Sequence, residues 1–280
     1  MAIADKQTAF QRLAQGNGFE SWMYSVASGT TTAANAGCGF ISGSLQFLIN
    51  TTRQGFRVNT SVNQRIVGAQ LGITAATQGF LGWLYHFGDC VITATGDQFT
   101  RDAGWTGPIT RTVMGQATQP IDLWPLLYVQ TTTATTAAVL QLSNVAGTSG
   151  YVDQDGNTVV GAKTMTLPSV STVAQSTYVW RLEDDDRAVR DIISVKVNTA
   201  TASGGPVKVY GFEPILYLGS IGAGFSVNHD SLISNVGVDR AYPGSPTTGS
   251  FTTAAELAIY RPFVNGSCTP SGRIWGVTES

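Results

Sequence analysis

From about Ile41 onward the chain is built of short runs rich in Val, Ile, Thr, Tyr, Phe and Trp, separated by turns that carry glycine and proline. Runs of this composition suit a pleated, half-buried surface and are too short for helices. The spacing predicts strands over Leu45–Asn50, Gly55–Val62, Gly79–Phe87, Cys90–Thr95, Leu123–Thr133, Ala138–Leu142 and Val159–Leu167. Further strands are expected over Thr177–Leu182, Ile192–Asn198, Val207–Phe212 and Leu216–Leu218. Across Asp191–Val197 the alternation puts Ile193, Val195 and Val197 on one face, and Ile192, Ser194 and Lys196 on the other. Strands with no interposed helical patterns point to a mainly β, jelly-roll-like antiparallel β-sandwich.

Only the N-terminus reads as helix. Between Asp5 and Leu13, Ala9, Phe10 and Leu13 fall at helical spacing, and Gly16-Asn17-Gly18 stops the run. A helix this short needs a neighbour to dock on. Three parts are expected: a helix and extended arm over 1–40, a β-core over 41–219, and a loop-rich C-terminal extension over 220–280. Asp155-Gly156, set between Tyr151 and Val159, is the clearest hairpin signal.

Charge is scarce and unevenly placed. Asp, Glu, Lys and Arg make up 12% of the 280 residues, about half the usual share. Eight of the 34 charges fall in Arg181–Asp191, whereas Ser21–Thr52 and Leu123–Val152 hold none. A net charge of −2 leaves no basic footprint for nucleic acid. No apolar run reaches the length of a membrane span, and MAIADKQTAFQRLAQ lacks the pattern of a secretory signal. Cys38, Cys90 and Cys268 are odd in number and far apart, which fits reduced thiols of a protein made in the cytoplasm.

Chemistry-bearing patterns are weak. Arg181–Asp191 lacks the alternating oxygen positions and the glycine of a calcium loop, and reads as an exposed loop with local ion pairing or a subunit contact. Asp153-Gln-Asp155-Gly-Asn157 starts like a calcium-binding loop, but Thr164 stands where the closing Glu belongs. His86, Asp89 and Cys90 offer donors close together without the spacing of a zinc site, and strand alternation keeps His86 beyond hydrogen-bond reach of Cys90. His229-Asp230 has no serine elbow nearby. No phosphate-binding or dinucleotide-binding glycine motif occurs, so no cofactor and no metal are expected. Trp83, Tyr85, Phe87, Trp105, Trp124 and Tyr128 could form a sugar platform, but fit core and interface positions better.

The stretches LYHFGDCVITATGDQFTRDAG (84–104), TRTVMGQATQPIDLWPLLYVQTTTATT (110–136) and VWRLEDDDRAVRDIISVKVNTA (179–200) resemble tailed-bacteriophage virion proteins of the capsid cement or decoration class. The resemblance is one of style and transfers no functional residue. It implies a non-enzymatic homo-oligomer, a trimer by expectation, on the capsid surface, with the major capsid protein as partner. It implies neither direct nucleic-acid binding nor a membrane. The alternative is a tail, collar or fibre-type protein that binds carbohydrate. The expected interface residues are Phe10, Leu13, Phe19, Trp22, Tyr24, Trp124, Tyr128, Arg181, Asp185 and Arg187.

Overall fold

The computed structural model describes residues 11–23, 38–40, 63–73, 78–102, 105, 107–108, 110–112, 118–129, 139–141, 150–160, 163–167, 176–183, 185–202, 206–219, 226–230, 256–261 and 270–279. Residues 11–14 are helical, and the chain leaves this turn through Gly16 at φ 79°. Gly16 N donates to Leu13 O and Asn17 N to Arg12 O, each at 3.0 Å. This paired closure needs a left-handed residue, which glycine supplies without strain. The expected stop at Gly16-Asn17-Gly18 is therefore where the helix ends.

Strand β1 (Gly18–Met23) begins at once and pairs with β20 (Pro270–Glu279). β20 also pairs with β3 (Asn63–Ile73), and β3 with β18 (Ser226–Asp230). The segment expected as a loop-rich extension thus contributes strands to this sheet. Glycine, serine and proline mask them in the sequence, because their partners lie some two hundred residues away.

A second sheet runs β17 (Val207–Gly219), β9 (Trp124–Val129), β14 (Ser176–Val179), β2 (Cys38–Phe40), β19 (Glu256–Arg261) and β4 (Gln78–Cys90). β17 also pairs with β4, so these six antiparallel strands close into a ring. One edge of β4 follows β17 along its length. The other meets β19 at Phe80–Leu84, then β6 (Phe99–Arg101) at Gly88–Cys90. The runs expected as Val207–Phe212 and Leu216–Leu218 are one strand, joined through a register shift beside Pro214. Such a shift is where a strand tolerates proline.

Near its middle this ring is largely apolar on both faces, with the carboxylate of Glu213 buried there and accepting from Tyr85 Oη at 3.4 Å. Leu84, Tyr85 and Phe87 of β4 and Leu126 and Leu127 of β9 are all buried. Gly82 and Gly211 let the walls approach: a Cβ on Gly82 would lie 2.2 Å from Glu213 O, and one on Gly211 would lie 2.6 Å from both Leu123 and Phe87.

Smaller sheets surround the ring. β13 (Thr164–Thr166), β10 (Val139–Gln141), β16 (Lys196–Thr199) and β5 (Gly96–Asp97) form one. β12 (Thr158–Val159), β11 (Tyr151–Asp153) and β15 (Val189–Ile192) form another, and β7 (Thr110–Thr112) with β8 (Thr118–Pro120) makes a two-stranded ribbon.

Several expected strands are revised. Asp191–Val197 is not one strand: Ile193 N and Ser194 N both donate to Gly150 O, and the chain passes from one sheet to another. Val195 and Val197 are buried while Ile193 is exposed, so the three do not share a face. Val159–Leu167 splits into β12 and β13, and after Cys90 the chain leaves the ladder. Leu45–Asn50 and Gly55–Val62 lie outside the described residues. The expectation of a mainly β chain in antiparallel sheets holds. Among the described residues no helix is long and apolar enough to cross a membrane.

Candidate functional site

The hairpin of β11 and β12 is closed by its own side chains. Asp153 Oδ1 accepts from Asp155 N at 2.9 Å and Asn157 N at 2.7 Å, and Oδ2 accepts from Asn157 Nδ2 at 3.1 Å. Gly156 turns the chain at φ 88°, and its N–H donates to Asp153 O at 3.2 Å. Burial pushes the Asp153 carboxyl upward, but the donors of Asn157, Asp155 and Gly156 together outweigh it and hold it below the ordinary carboxylate range. Three donors of the turn meet this carboxylate.

The charged loop seats on that hairpin. Glu183 N donates to Tyr151 Oη at 3.2 Å, and Tyr151 Oη donates to Asp186. Gln154 Nε2 donates to Asp186 Oδ1 at 3.2 Å, while its Oε1 accepts from Arg187 N at 3.1 Å and Ala188 N at 3.4 Å. Lys163 pairs with Glu183 at 3.1 Å and Arg190 with Asp122 at 2.9 Å. Burial, then the bond to Asp186, raises the Tyr151 phenol above its ordinary value. The loop is thus held from beneath, and Arg181, Asp185 and Arg187 are exposed.

Asp191, at the end of the loop, turns inward. It is 5% exposed, accepts from Trp105 Nε1 at 2.6 Å and is paired with Arg101. The Trp105 ring lies 4.2 Å from that of Phe87. One carboxylate therefore ties the loop to the ring of strands through an indole and a guanidinium.

Near the same end of β4, His86 stands between two carboxylates. Its Nδ1 is 3.1 Å from Asp102 Oδ2 and its Nε2 is 3.0 Å from Asp89 Oδ1. Lys208 Nζ is 3.4 Å from Asp89 Oδ1, and the Tyr210 ring lies 5.0 Å from the imidazole. The hydrogen bond from His86, against the opposing effect of burial and with help from Lys208, lowers the Asp89 pKa. Cys90 is fully buried; desolvation, with Asp97 and Asp89 adding to it, pushes its thiol up to about 12. A thiol so placed is a poor nucleophile.

Of the expected interface residues, the structure brings Arg181, Asp185 and Arg187 together on the seated loop. Leu13 packs close to Gly18, 3.2 Å from where a Cβ there would stand. Phe19 and Trp22 lie in β1 opposite Gly276 and Arg273. Phe10 and Tyr24 fall outside the described residues. Trp124 is half-buried, 5.0 Å from Phe80 and 6.1 Å from Phe212 between ring centroids. Tyr128 pairs through its backbone with Thr177 and Lys208. Among the suggested sugar-platform residues, Tyr85, Phe87 and Trp105 are core. His229 and Asp230 sit in β18, opposite Ala69 and Gly68.

Tyr151, Gln154, Arg101 and Asp102 were not foreseen. Gln154 sits in the tip of a recognisable hairpin, but its partners lie more than thirty residues on. No family model, curated protein or solved structure matches the chain.

Proposed function

We propose that the chain is a non-enzymatic structural protein of a tailed-phage virion, a cement or decoration protein that stabilises the head shell through subunit contacts. In this proposal it acts as a homotrimer on the capsid surface, with the major capsid protein as partner. It contacts neither nucleic acid nor membrane directly. The jelly-roll-like sandwich belongs to the same proposal, with the closed six-stranded ladder taken as two facing leaves.

The observation that carries this reading is how the chain uses its few charges. Asp153 closes a turn, Asp191 binds Arg101 and Trp105, and Glu183 and Asp122 pair with Lys163 and Arg190. Arg181, Asp185 and Arg187 are presented outward on a loop fixed from beneath by Tyr151 and Gln154. A preorganised charged surface loses little side-chain and loop freedom on docking. In this reading the charge-free stretches 21–52 and 123–152, apart from the buried Leu123, Leu126, Leu127 and Tyr151, supply contact area that salt does not screen. The fibre-type alternative has less behind it, because Trp105 is 4% exposed and Trp124 packs on Phe80.

The test is sedimentation of the purified chain, followed by titration onto phage head shells stripped of their outer proteins. A trimer that binds at saturable sites, and stays bound at about 1 M salt, where the Debye length is near 3 Å, is the expected result. A stable monomer with no affinity for shells sinks the proposal, and binding to tails or to a glycan array favours the alternative.

A further inference from the structure

We propose that His86 is a proton-operated clamp that fastens the turn carrying Asp102 and Trp105 to β4, and that loss of the ring proton releases this turn. Donor count sets the constraint. A carboxylate only accepts, and a neutral imidazole has one N–H and one bare nitrogen. His86 directs one nitrogen to Asp102 Oδ2 at 3.1 Å and the other to Asp89 Oδ1 at 3.0 Å. Both contacts are attractive only when both nitrogens carry hydrogen. When the ring gives up one proton, a lone pair faces a carboxylate and one contact becomes repulsive.

The described cations near the ring do not relieve that conflict. Lys208 of β17 approaches Asp89, not Asp102, and Arg101 of β6 is directed to Asp191. Tyr210 of β17 lies against the ring, tilted by 48° with centroids 5.0 Å apart. Asp89 therefore keeps a cation after the ring loses its charge, and Asp102 has none described beside it. The Asp102 contact is the one expected to open.

Asp102 has leverage on the fold. Its N–H donates to Phe87 O, and its carbonyl accepts from Trp105 N, each at 2.9 Å. Trp105 in turn covers Phe87 and donates to Asp191. Opening the clamp loosens the indole that joins the ring of strands to the charged loop. The sign is fixed: the clamp is closed while the ring holds both protons and opens as pH rises. On the acid side Asp89, held below the ordinary carboxylate range, is protonated only at still lower pH and then drops out.

The chain has two histidines, His86 and His229, so nitrogen-labelled histidine in the full-length protein gives two ring systems, and His229→Gln assigns them. The pH is stepped from about 5 to about 8, where histidine charge ordinarily changes, and exchange of the Trp105 indole proton is followed in parallel. The expected result is that the His86 ring shows two protonated nitrogens at the acid end. Loss of one coincides with about a tenfold fall in indole protection, the size of one charge-assisted hydrogen bond. Asp102→Asn, whose amide can donate to a bare nitrogen, should flatten that response while the chain stays folded. Indole exchange that ignores the ring's titration, or an Asp102→Asn chain with the full pH response, overturns the proposal.

Discussion

The wall made by β4, β9 and β17 and the platform made by the β11–β12 hairpin hold their side chains by opposite means. In the wall the fit is steric. Phe87, Phe212 and Leu126 are fully buried, and Gly82 and Gly211 are bare because no Cβ fits. In the platform the fit is polar. Asp153, Tyr151 and Gln154 meet specific donors and acceptors of the turn and of the loop above. Apolar contacts are indifferent to charge and pH, whereas polar ones fix one arrangement at the risk of costly unpaired groups. A chain poor in charge uses the first to hold its sheets and the second to aim its charged loop.

The largest effect is expected at Gly82. In Gly82→Ala the new Cβ meets backbone oxygen Glu213 O at 2.2 Å and the Phe212 ring at 2.5 Å. Backbone cannot step aside as a flexible side chain can, so a loss of about 3 kcal/mol in chemical denaturation is expected. A change below about 1 kcal/mol would mean that the wall is not sterically full.

Asp191 is where wall and platform meet, and it should come second. Asp191→Ala leaves Trp105 Nε1 and Arg101 without their shared acceptor in a buried place. A loss of about 2 kcal/mol is expected, together with a change in tryptophan fluorescence as Trp105 shifts against Phe87. Unchanged fluorescence would show that the indole is held by packing alone.

The platform carries a pH dependence of its own, apart from the one proposed at His86. Asp153 has its carboxyl below the ordinary range in the folded chain, so its contribution is fully present above that range and is lost as pH falls through the lowered value. Asp153→Asn should cost about 1 kcal/mol at neutral pH and remove part of the chain's acid lability. Parallel stability curves for the two proteins down to acid pH would contradict the carboxylate's role in the turn.

Legibility from sequence follows the range of the interaction. The β11–β12 hairpin could be read because Asp155-Gly156 and the side chain of Asp153 act within five residues. The end of the first helix could be read for the same reason at Gly16. The Arg181–Asp191 loop stood out by charge, but its seat on Gln154 did not, because a glutamine has no signature and its partners are distant. The break at Ile193 was hidden, because the apolar alternation continues while the N–H groups of Ile193 and Ser194 turn to Gly150. His86 was visible as a donor near Cys90. It meets Asp89, which the sequence set beside it, but its second carboxylate, Asp102, is sixteen residues away and is brought in by the pairing of β6 with β4.

Gln154→Ala should have the smallest effect on global stability and the clearest local one. The side chain accepts from two loop N–H groups and donates to Asp186, yet it lies at the half-buried rim, where water can replace those bonds. The denaturation midpoint should move by less than about 1 kcal/mol. Amide exchange at Arg187 and Ala188 should nevertheless accelerate, because these N–H groups lose their acceptor while Tyr151 still holds Glu183. If the loop then ceases to present Arg181, Asp185 and Arg187 in one arrangement, the shell binding proposed for the chain weakens although the fold persists. Unchanged exchange at both amides would show that Tyr151 and the Lys163–Glu183 pair alone aim the loop, and would move the polar platform from Gln154 to Tyr151.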